Sequence, residues 1–316
     1  MPRLRRSDPA GPGIQRRKSG KGFSYRMPDG TLATAEERRR IEQLAIPPAW
    51  DEVWICLHAN GHIQAVGVDA AGRSQYIYHP QWRLQKDTEK FDRAARFGAA
   101  LPSLRRAVTL DLRDPASDRR RALAAAVRMM DLGALRIGSE SYASRNGSYG
   151  LTTLRCRHVA VVGDVVELSF PAKSGQGWES TVKDAELAEY LAPLSARRPR
   201  EPLLAFEIDG KLSPVRAQMV NDYLRDLAGD SYSAKDFRTW KGTVTAGQAL
   251  AGREPGKDTR KEVADAIRRV AELLGNTPAI ARNSYVDPRV VDGYIKGELV
   301  DIKATDTVLS AYLLER

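Results

Sequence analysis

The sequence has few of the residues that commonly bind metal ions or transfer protons. Only four histidines occur among 316 residues, and the last is His158, so chemistry in the C-terminal half must proceed without one. No C-x-x-C pair and no H-E-x-x-H motif is present, which excludes the commonest zinc sites. His58 and His62 flank Asn60-Gly61, a typical hairpin turn that places them on opposing strands. We expect neither a metal nor another cofactor.

Other absences narrow the protein class further. There is no G-x-x-x-x-G-K-[ST] phosphate loop, which argues against a nucleotide-driven enzyme of that type. No apolar run is long enough to span a membrane, and no apolar segment follows the N-terminal arginines, so we expect no membrane association and no secretory signal. Cys56 and Cys156 lie far apart in unrelated stretches, which favours reduced thiols and a cytoplasmic location.

Positive charge is in excess. The formal net charge is +10 and the isoelectric point is about 9.6, values that favour a polyanionic partner such as nucleic acid. An arginine-rich soluble protein without such a partner is the alternative. Residues 1–20 combine arginines with glycine and proline and contain few apolar residues, so they are predicted to form a flexible basic arm.

Patterning along the chain predicts an α+β fold with two domains. Residues 21–88 show alternating, hairpin-like stretches and form a small β-rich domain, in which Thr34 to Glu37 is a capping box that opens a helix. Residues 89–316 show mainly helical periodicity, interrupted by a hairpin over 157–170. The helices are predicted over roughly 83–99, 118–132, 181–191, 213–228, 260–274 and 306–315.

Several residues that typically end or begin helices surround one tyrosine near the C-terminus. Gly275 fits the left-handed position after an amphipathic helix, and Thr277 with Pro278 is typical of a new helix start. Asp287-Pro288 ends that helix just after Tyr285. The pattern predicts a core-anchored bend that presents Tyr285 near a helix end. Taken alone, a tyrosine that simply packs at the surface is the commoner outcome.

Several motifs together resemble the active-site signature of poxvirus-like and bacterial type IB DNA topoisomerases. They occur in the order found in that family, and the similarity extends from about Gly22 to Ala311. The motifs are Arg136-Ile137-Gly138, Lys173 at a hairpin exit, Phe237-Arg238-Thr239, and Tyr285 after Gly275-Asn276-Thr277-Pro278.

The resemblance implies a mechanism for these residues. Tyr285 attacks a DNA phosphodiester and forms a 3′-phosphotyrosyl bond, while Arg136 and Arg238 stabilise the transition state. Lys173 is the general acid that protonates the 5′ leaving oxygen. Asn276 stands where many relatives have histidine. The implied activity is relaxation of supercoiled double-stranded DNA without ATP or metal.

The resemblance also implies how DNA is held. Gln75, Tyr76 and Tyr78, within Gly72 to Pro80, match a DNA-contacting strand of the family, and Tyr142 matches a DNA-contacting tyrosine. Plain sheet residues are the alternative for the three strand positions. The family further implies a C-shaped clamp of two domains that acts as a monomer, here in the cytoplasm at the nucleoid.

Two other functions fit part of the pattern. A tyrosine recombinase uses the same cleavage chemistry, but it typically has H-x-x-R where this chain has Lys235 to Arg238, and its N-terminal domain is helical. A catalytically inert DNA-binding protein would explain the basic charge alone. In that case Arg238 could pair with Asp236, and Lys173 could be a solvated loop lysine.

Overall fold

A computed structural model describes residues 3–229 and 232–316 and divides them into two compact units. The division falls between Lys90 and Phe91. The first unit is dominated by β-strands and the second, larger unit by helices, which confirms the α+β prediction. No helix in the described ranges is both long and apolar enough to cross a membrane.

The first unit contains a five-stranded antiparallel sheet and one helix. The strand order is β2-β1-β3-β4-β5. The strands are β1 Ile14–Ser19, β2 Gly22–Arg26, β3 Asp51–Ile55, β4 Ile63–Val68 and β5 Ser74–Tyr78, and the helix is α1 Ala35–Gln43.

One face of this sheet forms the core of the first unit. Ile14 is paired with Ile55, and Ala65 is paired with both Ile55 and Ile77. Paired residues point to the same side of a sheet, so these four side chains form one apolar row. Ile41 of α1 packs against the row and is 1% exposed. The other face of the sheet is therefore left to polar and aromatic side chains.

Two predictions for the first unit have opposite outcomes. The capping box at Thr34 is confirmed, because its hydroxyl accepts from the amide of Glu37 while the Glu37 carboxylate accepts from the amide of Thr34. The flexible arm over residues 1–20 is wrong for 14–19, which form β1 between β2 and β3. Ile14 buries its side chain completely, and this apolar anchor adds to the pairing of an otherwise polar strand with β2 and β3.

The second unit consists mainly of helices, with a three-stranded sheet and a small hairpin. The sheet order is β6-β7-β8. The helices are α2 Pro80–Arg113 (which begins in the first unit), α3 Asp118–Gly133, α4 Glu140–Asn146, α5 Ala185–Ser195, α6 Ala217–Ala228, α7 Ala234–Leu250, α8 Thr259–Leu274, α9 Pro278–Tyr285, α10 Pro288–Ile295 and α11 Asp306–Leu314. The strands are β6 Val159–Val162, β7 Val165–Pro171, β8 Gly177–Lys183, β9 Ala205–Ile208 and β10 Lys211–Pro214.

The predicted helices of this unit are mostly found, with three corrections. The helix predicted over 213–228 begins at Ala217, because residues 213 and 214 belong to β10. The helix predicted over 181–191 is wrong at its start, because residues up to Lys183 complete β8 and Asp184 caps α5. The helix predicted over 83–99 continues to Arg113 in one piece. The hairpin predicted over 157–170 is present as β6 and β7, and β8 extends it by a third strand.

Candidate active site

Tyr285 is the last residue of α9, and the expected bend delivers it. Gly275 ends α8 with a φ of 56°, and a Cβ there would lie 2.8 Å from the Trp178 ring. The Thr277 hydroxyl accepts from the amide of Ile280, and Pro278 occupies the first turn of α9. These local features confirm the predicted turn, which begins at a buried helix end and stops at Tyr285.

Helix α7 fixes the backbone of Tyr285. A Cβ on Gly242 would lie 2.5 Å from the Tyr285 carbonyl oxygen, so only glycine permits this approach. The Thr243 hydroxyl donates to that carbonyl at 3.3 Å and accepts from the amide of Asp287 at 3.1 Å. The junction between α9 and α10 is thus bound to α7 on both sides of residue 286.

Arg238 of α7 lies beside Tyr285 and is 4% exposed. Its guanidinium carbon is 5.2 Å from the centroid of the Tyr285 ring. Nη1 donates to the carbonyl of Ala134 and Nη2 to the carbonyl of Leu274. Nε is buried and has no hydrogen-bond partner within the described part of the chain. Arg238 therefore connects the ends of α3 and α8 and still has an unused donor.

Asp236 does not neutralise Arg238. One oxygen of its buried carboxylate accepts from Nε of Arg93 at 2.8 Å. The other accepts from the amide and hydroxyl of Ser233, which completes the capping box of α7. The alternative in which Arg238 pairs with Asp236 is therefore wrong.

Arg136 and Asn276 meet where α3 and α8 end. The backbone after α3 is fixed because the amide of Leu151 donates to the carbonyl of Arg136 at 2.8 Å. Nη2 of Arg136 donates to Oδ1 of Asn276 at 2.7 Å and to the carbonyl of Gly275 at 3.3 Å. This bond uses the amide oxygen, so Nδ2 of Asn276 remains as a buried donor without a partner among the described residues.

Burial and the clustered cations shift the pKa values of Arg136, Arg238 and Tyr285. Burial, reinforced by the nearby charge of Arg136, lowers the pKa of Arg238 to about 10. Burial also lowers the pKa of Arg136. For Tyr285, burial opposes ionisation, but Arg238, Arg136 and Lys235 together outweigh it and lower the pKa of the phenol. The site thus makes ionisation of Tyr285 to the phenolate, the nucleophilic form, easier than for a free tyrosine.

Lys173 lies in a short 3₁₀ segment, Lys173–Gly175, between β7 and β8, and its side chain is exposed. It lines a cleft of about 570 Å³ together with Arg136 and Asn276. It also lines a second cavity with Tyr142, whose side chain is 45% exposed. Tyr285 does not line the first cleft. Its ring lies beside Arg238, which binds the C-terminal ends of α3 and α8, next to Arg136 and Asn276. The structure therefore groups all five predicted catalytic residues in the second unit.

The predicted DNA contacts of the first unit lie on β5. Tyr76 and Tyr78 are 46% and 43% exposed, and their rings stack with centroids 5.9 Å apart. The prediction that they share a face is confirmed. Gln75 points to the other side and donates to a carboxylate oxygen of Asp69 at 2.9 Å.

Sequence reasoning missed three residues at the site. Lys235 contributes to the lowered pKa of Tyr285, and its spacing of three residues from Arg238 on a helix could have indicated this. Gln176 lines the cleft with Lys173, and Thr243 binds the carbonyl of Tyr285; no local signal marks either. Within residues 3–229 and 232–316, no three His, Cys, Asp or Glu side chains are grouped as metal ligands would be.

Comparison with known proteins agrees with this geometry. The family model of the eukaryotic DNA topoisomerase I catalytic core matches residues 79–302. The model of the bacterial DNA topoisomerase IB N-terminal domain matches residues 22–69.

The individual relatives are also DNA topoisomerases. DNA topoisomerase 1B of Acanthamoeba polyphaga mimivirus is 34% identical over 286 residues, which cover 87% of this chain and 85% of the relative. DNA topoisomerase I of Monkeypox virus is 22% identical over 77% of this chain and 76% of its own length. DNA topoisomerase 1 of Mycosarcoma maydis is 25% identical over 75% of this chain, but the match covers 23% of that protein. The extent of the catalytic-core match and the identity to the mimivirus enzyme show that the chain belongs to the type IB DNA topoisomerases.

Proposed function

We propose that this isomerase relaxes supercoiled double-stranded DNA by cutting and resealing one strand through Tyr285. The phenolate oxygen bonds to the phosphorus, and the bond from phosphorus to the 5′ oxygen breaks. The product is a 3′-phosphotyrosyl enzyme and a free 5′-hydroxyl strand, which rotates before the reverse reaction. The observation that carries the proposal is the Tyr285 ring packed against the buried guanidinium of Arg238.

In this proposal three side chains stabilise the transition state. Attack on a phosphodiester spreads negative charge over the non-bridging oxygens, and guanidinium groups match that geometry. Arg136 and Arg238 supply the two positive charges. Asn276 supplies its Nδ2 donor, which has no partner among the residues that the structure describes. Arg136 holds the amide oxygen and so fixes which way the amide faces. An amide cannot exchange a proton near neutral pH, so Asn276 acts by hydrogen bonding alone.

Lys173 serves as the general acid. An alkoxide is a poor leaving group, so a proton delivered to the 5′ oxygen lowers the barrier. Lys173 is exposed on the cleft that Arg136 and Asn276 line, where its ammonium is open to a bound strand. In religation the same group accepts the proton back. The covalent intermediate conserves the energy of the phosphodiester, so the cycle runs without ATP or a metal ion.

We further propose that the enzyme acts as a monomer on the nucleoid in the cytoplasm. Arg136, Lys173, Arg238, Asn276 and Tyr285 all belong to one compact unit of one chain, so a second copy is not needed to complete the site. The basic net charge suits a partner with a phosphate backbone.

The test is covalent trapping with Tyr285→Phe. Wild type should relax positive and negative supercoils in EDTA without nucleotide and leave a protein–DNA adduct after denaturation. Tyr285→Phe removes only the attacking oxygen, so it should lose adduct and relaxation while binding DNA nearly as well. Tyr190→Phe, a half-buried tyrosine of α5, is the matched control and should remain active. An adduct that persists in Tyr285→Phe, or a wild type that binds without cleaving, would contradict the proposal.

A further inference from the structure

Most of the excess positive charge of the chain lies in one short segment. Residues 3–26 contain eight Lys or Arg residues and one acidic residue, Asp8, so their net charge is +7 (8 − 1) of the +10 of the whole chain. Arg16 uses its guanidinium internally, on the carbonyls of Pro47 and Trp50. The other seven basic side chains are exposed. The remaining 290 residues or so are therefore close to neutral, and the basic character of the protein is local.

This segment is attached to the first unit along its length. The amide of Arg5 donates to the carbonyl of Asn60, and the amide of His62 donates to the carbonyl of Arg5, both at 2.9 Å. The Ser7 hydroxyl donates to the carbonyl of Ile63 at 2.9 Å, and Trp54 Nε1 donates to the carbonyl of Gly11 at 3.1 Å. Strand β1 then pairs with two neighbours. The charges thus project from an ordered backbone rather than from a loose tail.

The strand register places part of this charge on the same sheet face as the exposed tyrosines. Five residues of five different strands are linked by cross-strand pairing into one row on the face opposite the apolar core. The row is Arg26, Gln15, Trp54, Val66 and Tyr76. Arg17 follows Gln15 by two residues and points to the same side. Basic side chains and stacked aromatics on one sheet face are a common combination for contact with nucleic acid.

We propose that the β1–β2 hairpin is an auxiliary DNA-binding element, which holds phosphates through Arg17 on this face and through Lys18 and Lys21 at the exposed turn end of the hairpin. The inference rests on DNA as the substrate of the proposed function. The matches to both family models begin at residue 22 or later, so β1 lies outside the matched ranges. Phosphate contacts of this kind carry no sequence information. The element therefore supplies salt-dependent affinity for any duplex.

The experiment measures equilibrium binding to a nicked duplex at several salt concentrations, with every protein in the Tyr285→Phe background. The test variant is Arg17→Gln, Lys18→Gln, Lys21→Gln. Each lost phosphate contact should reduce the slope of log affinity against log salt by about 1, so the slope should fall by about 2 to 3. The charge-retaining variant Arg17→Lys, Lys18→Arg, Lys21→Arg should keep the full slope, which separates charge from folding.

The matched control removes three exposed cations elsewhere: Lys257→Gln, Arg260→Gln, Lys261→Gln. They lie at the start of α8, roughly 24 Å along a 16-residue helix from the end beside Asn276. The control should keep the slope of the parent. An unchanged slope in the test variant, or an equal fall in the control, would overturn the auxiliary element. Because binding is measured without cleavage, that result leaves the proposed function intact, and wild type that fails to relax DNA would overturn the proposed function alone.

Discussion

The residues around Tyr285 and those around Lys173 are held by very different amounts of structure. On the nucleophile side, defined here as Arg238, Thr243 and Tyr285, the two α7 residues are at least 96% buried and all three are cross-linked by hydrogen bonds or ring contact. On the acid side, defined as Lys173 and Tyr142, both side chains are exposed, and helix α4 carries no buried residue at all.

The difference indicates which interactions exist before DNA binds. Burial and hydrogen bonds fix the nucleophile side in the free protein, so it has little ordering entropy left to lose. The exposed acid side has few such contacts, so we expect bound DNA to complete its arrangement. We therefore expect changes on the nucleophile side to act on stability and chemistry together, and changes on the acid side to act on chemistry with little effect on folding.

Among the variants that keep Tyr285, the largest expected effect comes from Lys173→Ala. Loss of a general acid should slow single-turnover cleavage by about 10² to 10⁴. A substrate with a 5′-bridging sulfur has a thiolate leaving group that needs little protonation, so the variant should cleave it within about tenfold of wild type. Lys183→Ala, an exposed lysine of the adjacent strand β8, is the control and should behave as wild type on both substrates. Equal defects of Lys173→Ala on both substrates would show that the residue only positions DNA.

A smaller effect is expected on the nucleophile side from Gly242→Ala. The new Cβ would lie 2.5 Å from the carbonyl oxygen of Tyr285, so α9 must shift to accept it. A displacement of that kind should slow cleavage about a hundredfold, with noncovalent binding retained. In Gly256→Ala the added methyl meets no atom within 4 Å, so cleavage should be unchanged. Cleavage by Gly242→Ala at the wild-type rate would show that the contact does not position Tyr285.

The smallest effect is expected from Lys235→Gln, measured as a pH profile. In the proposed mechanism the phenolate attacks, so cleavage should rise as pH increases through the pKa of Tyr285, which lies below the ordinary value for tyrosine. Removal of a nearby positive charge raises that pKa, and the profile should move to higher pH. A loss of a few-fold near neutral pH should therefore disappear in alkaline buffer. Lys257→Gln removes an exposed lysine that is not among the charges lowering the pKa of Tyr285, so it should leave the profile in place. An unshifted profile in Lys235→Gln would contradict the assigned role.

Local signals in the sequence were sufficient to predict the bend before Tyr285. Gly275, Thr277, Pro278 and Asp287 each act on the backbone within four residues of themselves, so their effect can be inferred without tertiary structure. The capping box at Thr34 succeeded for the same reason.

The features that were missed depend on distant partners. The carbonyls that Arg238 binds belong to residues 104 and 36 positions away, and nothing near Arg238 indicates them. Strand β1 was predicted to be part of a flexible arm because its sequence is mostly polar. Its one buried side chain, Ile14, packs in a sheet that is formed by later residues. Residues 181–183 were wrongly predicted to be helical because β8 is defined by its pairing with β7 rather than by its own composition.

The two hydrogen bonds from Arg238 to backbone carbonyls affect how an arginine at this position should be interpreted in related sequences. Both acceptors stand at helix C-termini, where the partial negative charge of the helix favours a cation, so Arg238 also stabilises the ends of α3 and α8. A descendant that had lost cleavage activity would still be selected to keep this arginine, because its loss would uncap two helices. An arginine at this position in a relative is therefore evidence for the fold, and an intact Tyr285 is the stronger marker of an active enzyme.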